Sequence, residues 1–189
     1  MASEVDICNS ALNSIGASAI IALSEDSKSG RVCNQRYPFV RDTVFRSHPW
    51  NCLIKREELA QDSDTPAWEF AYQYTLPTDP FCLRVLEVEG EDRGVEYKVE
   101  GRKIVTDEGT IKIRYLARVT DPNEYDANLI EALSAAMAAE LAYPMINSAG
   151  LAQQMLELYR QKLSEARFTD ATEGTPDVIE ATDFINARA

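Results

Sequence analysis

The sequence predicts an α+β protein: a helical bundle formed by the N- and C-terminal helices, an antiparallel β-sheet domain inserted between them, and an extended C-terminal arm. Two observations carry this. Apolar residues recur every three to four positions over residues 1–48 and 120–168, and every second position over much of 49–119. A third marks the arm: the pattern fades over residues 169–189.

The first helix opens at Ser3, an N-cap with Glu4 and Asp6 in its first turn. Val5, Cys8, Leu12 and Ile15 keep helical spacing, and Gly16 is the stop. A second helix opens at Ser24 or Asp26 and runs towards Ser47, with Cys33, Tyr37, Val40 and Val44 as its stripe. Pro38 is expected to kink or restart it, because proline cannot donate the ladder hydrogen bond. His48-Pro49 closes the stretch.

Strands follow. The sequence predicts one over residues 50–55, an aromatic-rich one over 69–76, one over 82–88, and two alternating runs around Tyr97 and Ile113. Residues 100–102 and 107–109 supply hairpin turns. The expectation is one antiparallel sheet of about five strands with one wet face. At Asp121-Pro122-Asn123-Glu124 the pattern returns to helix, with Asp126 as a second start. That helix is rich in alanine, and Pro144 is expected to end it. Ser148 caps a last helix striped by Ala152, Leu156, Tyr159, Leu163 and Ala166.

Composition narrows the function. The 189 residues carry 31 acids and 19 bases, a net charge of −12, which argues against gripping nucleic-acid phosphate or anionic lipid. The acidity is uneven: residues 1–48 balance five acids with five bases, whereas 120–189 hold twelve acids and four bases. No apolar run is read as a membrane span and no signal peptide is read at Met1, so the product is expected to be soluble and made in the cytoplasm. Cys8, Cys33, Cys52 and Cys82 form no CxxC pair, and there is one histidine, so zinc and a disulfide framework are not expected.

Motifs for chemistry are missing. There is no phosphate loop, no GxGxxG and no GxSxG, and so no cofactor is expected. His48, beside Pro49 and Trp50 at a helix end, reads as a capping or packing residue rather than a general base. Trp50 reads as a ring sealing the join between layers. Carboxylates at Glu57, Glu58, Asp62, Asp64, Glu89, Glu91 and Asp92 read as solvated surface, although a pair could flank a glycosidic bond. Arg31, Arg36, Arg41 and Arg46 do not share one helix face, and salt bridges to acids of the C-terminal helices or of a neighbouring subunit are the plain reading.

An ordered series of motifs is more specific. Residues 31–60 read RVCNQRYPFVRDTVFRSHPWNCLIKREELA, and Pro66-Ala67-Trp68 leads into FAYQYTLP at 70–77 and Leu83-Arg84-Val85. Tyr97-Lys98-Val99-Glu100-Gly101 precedes the last strand, and Asp121-Pro122, Tyr125-Asp126 and Glu131-Ala132-Leu133 open the third helix. The chain thereby resembles, over residues 3–170, the tail tubular protein A family of short-tailed phages and related prophages. The resemblance implies a structural virion protein of the neck, synthesised in the host cytoplasm. It implies a twelve-membered ring of copies that joins the portal protein to the tail nozzle protein as a head-to-tail adaptor. DNA passes through the lumen without specific binding, and no catalytic residue, cofactor or membrane is implied. The other readings are a different phage neck or tail completion protein with another partner, and a carboxylate-dependent carbohydrate hydrolase. In the arm, Val178, Ile179, Phe184 and Ile185 are the expected contacts to the portal or an adjacent subunit.

Overall fold

A computed structural model describes residues 2–90 and 94–174. Over these described residues the protein is α+β, with four helices and two antiparallel three-stranded sheets. Helix α1 spans Glu4–Ser14 and begins in a full capping box: Ser3 Oγ accepts from the Asp6 amide, and the Asp6 carboxylate accepts from the Ser3 amide. Gly16, at φ 72°, takes the left-handed turn that ends the segment. Asn9 then ties down the following link, donating to the Ile20 carbonyl and accepting from its amide.

Helix α2 spans Lys28–Arg46 behind an N-cap at Ser27. Its start lies later than the expected Ser24 or Asp26 because Glu25 is used in a preceding turn, accepting from the Ile21 amide. Gly30 sits against that turn; a Cβ there would come within 2.6 Å of the Glu25 carbonyl oxygen. Pro38 neither ends nor restarts the helix. It lies on the exposed face, as does Asn34, whose orphaned carbonyl can bond water there.

The strand region differs from the expected single sheet. Strands β1 (Ile54–Leu59), β6 (Ile111–Ala117) and β3 (Cys82–Val88) form one sheet in the order β1-β6-β3. Strands β2 (Tyr72–Thr75), β5 (Lys103–Thr106) and β4 (Tyr97–Glu100) form a second, in the order β2-β5-β4. Pro77 and Pro80, which have no amide proton to give, separate β2 from β3, and β2 pairs with β5 instead. Strand β5 is the sixth, unexpected one; it is a four-residue run between two turns, too short to show a period of its own. The expected strand at residues 50–55 is in part a short 3-10 turn, Asn51–Leu53.

Helix α3 spans Ala127–Ile146 and starts at Asp126, whose side chain accepts from the Asn128 amide; residues 122–124 form a separate 3-10 turn. It runs past Pro144, which faces solvent, to a left-handed Asn147. By length and composition α3 could cross a bilayer, although Glu131 and Glu140 interrupt the run. Here Leu129, Leu133, Met137, Leu141 and three alanines are wholly buried, and α3 packs against α1, α2 and α4. Helix α4 (Ala149–Ala171) lies along α3. Buried residues of the helices and of both sheets form one continuous apolar cluster.

Candidate functional site

At two places among the described residues, polar side chains of the helices meet those of the sheet region. The first is the joint between α2 and β1. Ser47 caps α2 and its hydroxyl donates to the Val44 carbonyl, which also receives the indole N–H of the fully buried Trp50 at 3.1 Å. Pro49 has no amide to extend the helix. His48 stands edge-on to Trp50, ring centres 4.8 Å apart, and its Nε2 lies 2.9 Å from Asp170 Oδ2. Asp170, near the end of α4, is buried. Its Oδ1 accepts from the Asn51 amide at 2.9 Å, and its carbonyl accepts from Asn51 Nδ2. Arg167 adds a bond to the Ser47 carbonyl. His48, Pro49 and Trp50 thus form a clasp that fixes the end of α4 onto the start of the sheet region. A His–Asp pair can orient a general base, but the adjacent Ser47 hydroxyl is committed to a main-chain carbonyl and offers no nucleophile.

The second place is a cleft of about 570 Å³ where α2 meets the facing parts of both sheets. Phe81 lies between two guanidinium groups, Arg102 Cζ 3.9 Å and Arg118 Cζ 4.2 Å from its ring centre. Arg102 donates to the carbonyls of Pro77 and Cys82, both at 2.6 Å. Arg46, from α2, donates to the Leu83 carbonyl, and Arg118 pairs with Asp42. Arg118 Nε is buried without a hydrogen-bond partner. Arg84 is exposed and makes no ion pair among the described residues. Four guanidinium groups therefore face one carboxylate. Burial pushes the Cys82 thiol up, while the charges of Arg102 and Arg46 pull it back down. Between the arginines lie apolar groups: Leu76 and Leu83 are buried, and Val99 is 49% exposed.

Of the carboxylates weighed for glycoside chemistry, Glu57, Glu58 and Glu89 line, with Glu87, an open cleft of about 410 Å³ on the β1-β6-β3 sheet, interleaved with Arg56, Lys112 and Arg114. On the wet face of the β1-β6-β3 sheet, Glu87 pairs with its register partner Arg114 at 2.7 Å, and Glu89, just after β3, pairs with Lys112 at 3.2 Å. Glu57 accepts from the Tyr115 hydroxyl. Asp62 belongs to the other sheet's edge, where bonds from Lys103 and then Thr75 hold its carboxyl below the usual range, the opposite of what a general acid needs. Glu91 and Asp92 lie outside the described residues. The arginines of α2 are used in several ways. Arg36 pairs with Glu140 of α3, Arg41 with Glu4 and Asp42, and Arg31 with Asp26 in its own approach.

Cys8, Cys33 and Cys82 are buried and Cys52 is half-buried; all four are free thiols. Among the described residues, no three His, Cys, Asp or Glu side chains gather into a cation site. Val178, Ile179, Phe184 and Ile185 lie outside the described residues. The arginine cleft escaped the sequence reading. Its members come from four separate segments, and Arg84, Arg102 and Arg118 look locally like ordinary polar positions on or beside strands. No protein-family model matches the chain, and no curated protein matches it.

Proposed function

We propose that this protein is a structural virion component, a head-to-tail adaptor whose copies form a ring between portal and tail nozzle with DNA passing through its lumen. The observation that carries the reading is the ordered motif series from residue 31 to residue 133, centred on His48-Pro49-Trp50, by which the chain resembles the tail tubular protein A family.

Physical arguments support it. A ring subunit needs two different, mutually complementary surfaces, and a heterologous contact repeated by a closing rotation yields a ring. The chain is charge-asymmetric, with an arginine-rich cleft in a protein of net charge −12. Net negative charge repels the duplex and lets it slide rather than stick. The α+β organisation is the one the resemblance implies.

The test is to mix the purified chain with its cognate portal ring and determine the mass of the product by sedimentation or native mass spectrometry. A gain of about one chain per portal subunit is expected for a symmetric ring. A folded sample that leaves the portal mass unchanged overturns the proposal and points to another neck or tail partner.

A further inference from the structure

We infer that the arginine-walled cleft is the receptor for the acidic C-terminal segment, residues 175–189, of a second copy of this chain. The inference rests on the ring reading, which makes each copy both donor and acceptor.

Charge comes first. Arg46, Arg84, Arg102 and Arg118 face only Asp42, and Arg84 has no acidic partner among the described residues. Residues 175–189 carry Asp177, Glu180 and Asp183 against Arg188 alone. Opposite potentials of this kind set register and partner choice.

The apolar groups match as well. The segment repeats an acid followed by two large apolar residues, as Asp177-Val178-Ile179 and again as Asp183-Phe184-Ile185. The cleft offers the complement, guanidinium groups set around the partly buried Val85 and the half-exposed Val99. Guanidinium planes bind carboxylates in a fork, while the aliphatic side chains between them can cover Val178 or Phe184.

The main chain offers a third kind of contact. The cleft is bordered by β3 and β4, and each is the outer strand of its sheet. An outer strand presents unpaired amide and carbonyl groups to an incoming extended peptide. Reach is adequate. Fifteen residues span at most about 50 Å when extended, whereas a chain of this size has a radius of gyration of about 16 Å. The segment can therefore cross to an adjoining copy.

The experiment replaces Phe184 with the photo-crosslinker p-benzoylphenylalanine in the full-length chain. Isotopically heavy and light chains are mixed and irradiated, both concentrated and bound to portal, and the joined peptides are mapped. The expected product links residue 184 of one isotope to residues 42–46, 81–85, 99–102 or 118 of the other. Arg84→Glu should lower its yield by about two- to fivefold, as for loss of a partly exposed ion pair. The thermal melt should stay unchanged, since Arg84 holds no structural bond. Crosslinks joining only peptides of the same isotope, crosslinks mapping elsewhere, or none in either sample overturn the inference. A heavy–light crosslink in the cleft with no gain of portal mass would retain the receptor and sink the adaptor reading; portal binding without that crosslink would do the reverse.

Discussion

The four helices are joined by close apolar contact, whereas the seam where the two sheets meet α2 adds guanidinium groups to the apolar core that they share. In α3, Ala132, Ala138 and Ala142 are fully buried beside Leu133 and Met137, so neighbouring helices approach closely and little polar chemistry is enclosed. At the sheet seam, Arg46 and Arg102 reach main-chain carbonyls of residues 77–83, and Arg102 and Arg118 bracket Phe81. The difference teaches how two kinds of force are divided here: the alanine-rich bundle is closed by non-directional burial, whereas the seam adds directional hydrogen bonds and leaves charge at the surface.

Substitutions graded along this contrast test it. Leu133→Ala opens a cavity in the bundle and should cost about 2–5 kcal/mol in denaturant unfolding; a loss under 1 kcal/mol would mean that the bundle core repacks freely. Arg102→Ala should cost about 2–3 kcal/mol, because two carbonyls lose a charged donor. Its signature is selective: amides of β4 and β5 should exchange faster while those of α3 do not. Asp170→Ala strips the clasp, leaving the Asn51 amide and His48 without their acceptor, and should cost about 1–3 kcal/mol. Faster hydrogen exchange confined to the last turns of α4 and to residues 48–53 is the expected pattern. Glu87→Gln, on the wet sheet face, should change stability by less than about 0.5 kcal/mol, since the pair with Arg114 is half-exposed. A larger loss would make that face part of the seam's support.

Much of the helical half was legible because its cues are local. Ser3, Ser148, Asp126 and Gly16 act where the spacing placed them, as caps or stops within one turn of sequence. Helices α2 and α3 both continue through their prolines, for one reason. The cost of a missing amide depends on whether the orphaned carbonyl meets water, and Pro38 and Pro144 both lie on exposed faces. The sheets were legible as strands and not as pairings. Strand β3 was placed residue for residue at Cys82–Val88, yet nothing in the run tells whether β2 or β6 is its neighbour.

The candidate sites divide the same way. His48-Pro49-Trp50 stood out because three unusual residues adjoin each other, but their partner Asp170 lies 122 positions after His48. The arginine cleft had no local signature at all. Periodicity, caps and composition act over a few residues, so the chain alone specified the α+β class, the helix–strand–helix order and the excess of acid. Strand pairing, the clasp and the cleft are contacts between segments far apart in sequence, and their geometry exists only once hydrophobic burial has brought those segments together.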